Sequence, residues 1–409
     1  MHDGSLNKEL PVFLCRFGTA EPAVPNRTFP QTWREMAVNI TEVNSKKDMK
    51  QFMLFPMKLY AGSPYYVPPL IHEEIGVFSP KNPVFENAEA KLFLARRGGE
   101  IVGRIAAIIS HIANDKYNAK NIRFGWFDTI EDYEAAAALL QTVETWGRSR
   151  GMETITGPQG FNDFDKWGML IEGYETIPTF SSYYNYSYYV DFIERYGFIK
   201  EVDAVEYRIH NLSKNPFPPR LIEMAERIRQ RKGYSVIRFR KRKDMLTRGD
   251  EIFALLEDAY ADLYGVVPLT ANQRAYYVKK YFPVLQPDLV KLVVNTENKI
   301  IGVFAAMPNL SKPLQKANGR LFPFGIVHLL LGMRKPKLVD FILAGVRKEY
   351  RGRGVDLIMA VEMYNTLVKW GFEEGESNPE LETNAQVQAE WRIVDHVQTR
   401  RRRIYKKQI

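Results

Sequence analysis

The run Arg351-Gly352-Arg353-Gly354-Val355 sets two glycines and two arginines between a short apolar stretch, Asp340–Val346, and a segment in which Leu357, Ala360, Val361, Tyr364, Leu367 and Val368 recur at three- and four-residue spacing. The first reads as a buried strand and the second as an amphipathic helix. A loop of this composition at a helix start suits an anion such as a phosphate. Glycines let the backbone approach closely, the helix supplies unpaired N–H groups and the positive end of its dipole, and arginines add charge-assisted hydrogen bonds. An ordinary strand–turn–helix connection would use the same glycines, so structural context has to decide. A second polar set, Asn162, Asp163, Tyr184 and Asn185, sits in unusually aromatic loops. It could line a substrate pocket or pack a seam between two halves. The histidines show no metal-ligand spacing, and no Ser/His/Asp or Cys/His set suggests itself, so no metal is expected. The single cysteine, Cys15, rules out an intramolecular disulfide and a cysteine metal cage.

The elements that would hold these residues come in two rounds. In the first, Val38–Val43 alternates as a strand, Lys47–Pro56 starts a helix, and two β-rich runs around Gly98-Gly99 read as a hairpin. Phe124–Phe127 and Glu153–Thr156 are further strands around an alanine-rich helix, Tyr133–Trp146. A helix over Tyr188–Tyr196 and a strand over Val205–Ile209 close the round. About 200 residues later the grammar repeats: Asp244-Met245 answers Asp48-Met49, and Ile300-Ile301-Gly302 answers Ile101-Val102-Gly103. Trp370-Gly371 ends the motif helix as Trp146-Gly147 ends the earlier one, but at a longer offset, so the second copy carries an insertion, assigned to residues 307–338. The expected division is a loosely ordered leader over 1–35, with Met36 opening the folded part, a first domain over 36–212, a linker and short helix over 213–234, and a second domain over 235–409. The fold class is α/β, each copy a twisted mixed sheet flanked by helices.

The glycine loop resembles the acetyl-coenzyme A loop of the GNAT (GCN5-related) N-acyltransferase superfamily, whose pattern is Gln/Arg-x-x-Gly-x-Gly/Ala. The element order over 36–409 is similar to that of its tandem two-domain members, such as the N-myristoyltransferases and the Fem-type aminoacyl transferases. Asp356 departs from the pattern, standing where Gly or Ala is usual. The resemblance implies acetyl-coenzyme A or another acyl-coenzyme A as co-substrate, held by Val346, Arg351, Gly352, Arg353, Gly354 and Val355, with Asn384 on the coenzyme arm. It implies a base for the amine, for which Glu382 at a strand end is the candidate and Glu349 and Asp340 are alternatives. It implies a tyrosine that protonates the thiolate, but Trp391 stands at that place, and an indole N–H is no practicable acid. Tyr364 or Tyr405 would substitute. The first copy reads Asp128-Thr-Ile-Glu-Asp-Tyr133 where the loop belongs, with neither glycine nor arginine, and is expected to be structural or substrate-binding. Asn162, Asp163, Tyr184 and Asn185 would then face the acceptor, a small-molecule or peptide amine.

Composition agrees with a globular chain: 409 residues, 45% hydrophobic and 26% charged. The apolar stretches are far short of a membrane span, and the single cysteine makes the cytoplasm the default compartment. A net charge of +9 suits acidic partners, whether coenzyme phosphates, nucleic acid or an anionic membrane surface. The inserted Leu321–Lys337 has an apolar face and a basic end, and reads as a lid over an acyl group, a membrane-surface helix, or a helix covering its own domain. Arg400–Lys407 invites a nucleic-acid reading, yet Arg402–Tyr405 falls where the fold wants its last strand, with arginines flanking an edge. The leading expectation is transfer of an acyl group, most simply acetyl, to an amine. The competing one is a non-catalytic binding or scaffold protein that kept the fold and lost the chemistry. Neither favours a particular acceptor, acyl length or oligomeric state.

Overall fold

The computed structural model describes residues 33, 35–212, 214, 216–334 and 336–409; the expected leader, Cys15 included, lies almost wholly outside them. The first round comprises β1 (Asn39–Glu42), α1 (Lys46–Leu59), α2 (Ile71–Val77), β2 (Ala88–Arg97), β3 (Glu100–Ser110), α3 (His111–Tyr117), β4 (Asn121–Thr129), α4 (Tyr133–Ser149), β5 (Thr154–Gly157), β6 (Met169–Glu172), α5 (Tyr188–Arg195) and β7 (Ile199–Ile209). Helix α6 (Pro219–Lys232) leads to the second: β8 (Ser235–Arg238), α7 (Arg242–Leu246), α8 (Gly249–Tyr260), α9 (Ala271–Tyr281), β9 (Val290–Val294), β10 (Ile300–Pro308), α10 (Ser311–Ala317), α11 (Gly325–Gly332), β11 (Leu338–Val346), α12 (Val355–Trp370), β12 (Glu374–Ser377), β13 (Glu380–Leu381), α13 (Ala385–Glu390) and β14 (Val397–Gln408). Local chemistry sets several boundaries. Ser45 caps α1 by accepting from the Asp48 N–H, and the β2–β3 turn uses Gly98 (φ 56) and Gly99 (φ 83), the left-handed pair a tight hairpin needs.

The fourteen strands among the described residues join one sheet, whose main path is β1-β2-β3-β4-β5-β14-β7-β12-β11-β10-β9-β8. The two copies exchange their long final strands. β14, from the second copy, lies between β5 and β7 of the first, with Tyr405 opposite Gly157; β7 reaches across to β12, with Ile209 opposite Gly375. The two exchanged strands run antiparallel to each other at the centre of the molecule.

This placement corrects the expectation for the basic segment. β14 is a central strand, and its alternation buries Arg400 and Arg402 completely. Arg400 Nε donates to Glu206 Oε2 at 2.6 Å and Arg402 Nε to Glu206 Oε1 at 2.5 Å, while Arg400 also pairs with Glu376, which Arg208 engages at 2.7 Å. On the other face Arg403 pairs with Asp203 at 2.7 Å and Arg401 with Glu382 at 2.9 Å. Buried charges persist only when paired, so these arginines hold the seam together and are not a free nucleic-acid surface.

The insertion is narrower than 307–338. Helix α10 is the counterpart of α3: each follows the third strand of its copy and ends at a left-handed asparagine, Asn118 or Asn318, both at φ 46. The added material is α11 with its flanking loops. The pair leans on the first copy, where Ser311 Oγ donates to Pro178 O at 2.7 Å and Gln315 Nε2 to Pro64 O at 2.8 Å. Ala135, Leu139 and Val143 of α4 pack the first copy's core, and Val355, Ile358 and Met359 of α12 pack the second. No helix among the described residues is long and apolar enough to cross a membrane.

Candidate active site

Strand β11 ends at Val346 and α12 begins at Val355. Between them Gly352 (φ 68) and Gly354 (φ 77) are left-handed, a region that costs other residues about 1–2 kcal/mol. A Cβ on Gly354 would stand 2.5 Å from Ile228 Cδ1 in α6, whereas at Gly352 it would enter open space. The loop is therefore closed behind and open in front. No side chain caps α12 at Gly354. Arg351 and Arg353 are exposed beside it, Arg351 steadied by donating to Ala259 O at 2.6 Å. Open glycine backbone, an uncapped sixteen-residue helix and two exposed guanidiniums are what a diphosphate requires.

The strand leading to the loop splays from its neighbour. β11 runs parallel to β12 only from Leu338 to Phe341, and beyond that stays paired with β10 alone as far as Val346. Ile342 is an extra residue, because Phe341 faces Ala306 and Leu343 faces Ala305 on β10; such a bulge bends the strand. Asn378 Nδ2 donates to Ile342 O at 3.1 Å at the fork, and Tyr260 Oη donates to Ala344 O at 2.7 Å.

Between the copies lies a cavity of about 1120 Å³. Its walls are largely apolar, with Trp126, Phe164, Phe253, Phe282, Leu314 and Leu329 among them. Arg351, Asp356 and Asn384 border it, as do Glu380 and Glu390, two of its five glutamates. Burial pushes the Glu380 carboxyl up to about 8, against the pull of the Trp391 indole, whose N–H donates to Glu380 Oε2 at 2.6 Å. Burial and the nearby Asp356 charge push Glu390 up to about 7. On the first-copy wall, burial pushes Asp163 up to about 6, and its Oδ1 has no hydrogen-bond partner among the described residues. Carboxyls poised near neutrality can take a proton from an amine.

Comparison with solved structures gives this architecture its class. A tandem GNAT protein from the clavulanic acid biosynthesis pathway superposes with a TM-score of 0.54 over 91% of this chain and 98% of that one, at 12% identity. The chain carries the tandem GNAT fold. A GCN5-related glucosamine N-acetyltransferase region of a fungal multi-domain β-N-acetylglucosaminidase matches this GNAT fold with a TM-score of 0.56, covering 91% of this chain and 38% of that one, at 12% identity. In sequence the chain is 28% identical over 371 residues to Protein YghO of Escherichia coli K12, covering 89% of this chain and 94% of that protein. It is 28% identical over 358 residues to a bacterial ceramide synthase of Caulobacter vibrioides, covering 85% and 91%. No family model matches.

Of the residues expected to hold the coenzyme, Val346, Arg351 and Asn384 line the cavity, while Gly352, Arg353, Gly354 and Val355 are not among its lining residues; Asn384 caps α13 by accepting from Val387 N at 3.5 Å. The candidate acid and base do not all follow. Glu382 lies off the cavity, engaged by Lys200 and Arg401, and its neighbour two residues back, Glu380, holds the interior position. Tyr405 sits in the first copy's core, its hydroxyl on Glu194 at 3.1 Å, far from a role at the loop. Tyr364 borders the cavity but packs against Phe217, ring centres 5.7 Å apart. Of the acceptor candidates, Asn162 and Asp163 line the cavity, although Asn162 donates to Tyr277 Oη at 2.8 Å. Asn185 spends its amide on both backbone groups of Leu170, and Tyr184 packs edge-on against Tyr60 at 5.5 Å. Among the described residues no cluster of three or more His, Cys, Asp or Glu could hold a metal.

The first copy shows what the loop looks like without the site. Gly103 faces Thr129 as Gly302 faces Val346, so β4 ends where β11 does. There Tyr189 Oη accepts from Thr129 N at 2.8 Å, and Tyr60 Oη donates to Asp128 at 2.8 Å. Asp132, gripped by Arg97 at 3.0 Å, caps α4 by accepting from Ala135 N. A carboxylate already fills the anion's place.

Proposed function

We propose that the chain is an N-acyltransferase that moves a long apolar acyl group from acyl-coenzyme A to a lipid-like amine. The cavity carries this reading. At about 1120 Å³ it exceeds the roughly 300–1,000 Å³ of most small-molecule sites, and an acetyl group would leave its aromatic and aliphatic walls without contact. Its position between the glycine loop and the first copy lets donor and acceptor chains share one apolar space. One relative, at 28% identity, is named a ceramide synthase, and a ceramide is the amide of a fatty acid with a long-chain amine. The acetyl group that is simplest from sequence is thus replaced by a longer chain.

The loop residues Arg351, Gly352, Arg353 and Gly354 would hold the coenzyme phosphates, and the unpaired edge of β11 its arm. Bound acyl-coenzyme A supplies the thioester. Glu380 accepts the amine proton, the amine nitrogen bonds to the acyl carbon, and the carbon–sulfur bond breaks. A thiol near pKa 8.5 leaves as thiolate without needing an acid, so Trp391 in place of a tyrosine is no obstacle. Trp391 instead fixes Glu380. The remaining contribution is placing the two reactants together in a dry cleft.

The test is thiol release with acyl-coenzyme A of two to sixteen carbons, paired with short amines and with a long-chain amino alcohol, in wild type and Gly352→Asp. Gly352 is the better position because a side chain there meets open space, whereas Gly354→Asp would also strike Ile228. The rate should climb with acyl length and need the long-chain amine, and Gly352→Asp should raise KM for the donor at least about tenfold without loss of fold. A preference for acetyl-coenzyme A, or no release with any pair, would overturn the proposal.

A further inference from the structure

The hairpin α10–α11 presents one face to the cavity and another to solvent. Leu314 and Leu329 line the cavity from within. Outside, Phe322 is 69% exposed, Phe324 73%, Leu330 57%, Leu331 60% and Val327 47%, a concentration of bare large side chains unmatched elsewhere among the described residues. Single exposed apolar residues are ordinary, but a contiguous cluster marks a contact surface. The helix is not loosely hung: a Cβ on Gly325 would meet Arg320 O, and one on Gly332 would meet Pro313, so α11 is packed tightly onto the α10 side of the hairpin. Its apolar residues are held outward by that packing.

The charge around this cluster selects the partner. From Asn309 to Val339 there is no aspartate or glutamate, while Lys312, Lys316, Arg320, Arg334, Lys335 and Lys337 all fall in that span. Lys312, Lys316, Arg320 and Arg334 are exposed and have no acidic partner among the described residues; Lys337 pairs with Glu373 at 2.8 Å. Exposed cations without a carboxylate partner among the described residues occur elsewhere too, as at Lys46, Lys47, Arg240, Lys241, Arg242 and Lys243, but here they share an acid-free span with the bare Phe and Leu side chains. Bare aromatic and leucine side chains ringed by unpaired cations are the chemistry of a helix lying in a lipid headgroup layer, where the apolar face enters the acyl boundary and the cations meet lipid phosphates.

We propose that α11 and the Leu321–Phe324 loop dock this protein on an anionic membrane surface. The proposal rests on the hairpin alone and does not require the acyl-transfer reading. If that reading holds, docking sets the cavity wall formed by Leu314 and Leu329 against the bilayer, the source of a lipid-like amine. A protein partner or a second copy would find the same apolar cluster, but a second copy would bring the same uncompensated positive charge against it.

The test is flotation of the full chain with vesicles of phosphatidylcholine alone and of phosphatidylcholine with 30% phosphatidylglycerol. Two variants accompany wild type: Phe322→Ser/Phe324→Ser/Leu330→Ser/Leu331→Ser, and Lys312→Gln/Lys316→Gln/Arg320→Gln/Arg334→Gln. Every substituted side chain is exposed, and circular dichroism with a melting curve checks the fold. Wild type should float with the anionic vesicles at least about tenfold more than with the neutral ones, and each variant should lose at least about tenfold of that binding. Thiol release from a water-soluble substrate pair, measured alongside, reads the catalytic proposal separately. Absence of flotation in wild type, equal flotation on neutral vesicles, or undiminished flotation of the serine variant would each overturn docking. So would wild type that dimerises in sedimentation, becomes monomeric as the serine variant and ignores vesicles.

Discussion

Glu380→Gln is the substitution that separates a working base from a buried structural carboxyl. Glutamine keeps the size and can still accept from the Trp391 indole, so the 2.6 Å contact has a replacement acceptor and the fold should hold. With its carboxyl at about 8, roughly one wild-type molecule in ten carries the carboxylate at pH 7 and nine in ten at pH 9. kcat/KM should therefore rise about ninefold over that range, and loss of the base should cost about 10²–10⁴-fold at pH 9. An amine substrate titrates too, and a limb owed to the amine would survive in Glu380→Gln. The comparison is thus the difference between the two profiles, measured by thiol release under single-turnover conditions so that product dissociation does not intrude. Glu390 raises Glu380 by charge repulsion, so Glu390→Gln should slide the wild-type limb to lower pH while keeping its height. If Glu380→Gln retains the limb and more than about a third of the rate, Glu380 is not the base.

Trp391→Phe removes a hydrogen bond that holds Glu380 down, so the same limb should move to higher pH; an unmoved limb would disconnect the indole from the chemistry. Arg400→Met leaves Glu206 and Glu376 short of their shared cation in a fully buried site, and should destabilise by about 3–5 kcal/mol in urea unfolding. A loss under about 1 kcal/mol would mean the seam does not depend on this network. Asp340 is fully buried, its carboxyl pushed up to about 8 by burial and by Glu376, with Oδ2 unpartnered among the described residues. The folded state keeps that proton while the unfolded chain releases it near its ordinary 3.8, so stability should fall as pH rises from about 4 to 8. Asp340→Asn, neutral throughout, should flatten that decline in Tm; an unchanged slope would assign it to other groups.

What the sequence discloses is local, and what it hides depends on partners far along the chain. The Gly352–Gly354 loop and the helix after it are legible because backbone conformation and helical periodicity act over a few residues. The duplication is legible because the same local rules repeat. Glu380 and Glu382 stand two apart and face alike in an extended segment, and nothing nearby distinguishes them. The distinction comes from Lys200 on β7 and Arg401 on β14, which claim Glu382 and leave Glu380 to the cavity. Strand exchange is hidden for a related reason, since β14 shows the same alternation whichever copy it completes. One signal was present: Arg400 and Arg402 share a face, as an inward pair of charges must if a distant Glu206 is to meet both. Helix α9 had its own flag, the Thr270–Gln273 capping box, yet its neighbourhood of tyrosines masks the period.

The crossing of β7 and β14 also bears on how the protein is made. β5 pairs with β4 on one side but finds its second neighbour only when β14 exists, and the bond from Lys407 to Glu144 closes a span of 263 residues. During synthesis the first copy must wait, its sheet truncated at β5 and β7 unshielded, until the second copy has left the ribosome. Contacts so distant in sequence slow folding and prolong the exposure of a bare strand edge. Neither copy is therefore an independent unit of evolution or engineering. A drifted first copy cannot be discarded even though its anion site is filled, because it supplies the strand on which the second copy's splayed pair is built.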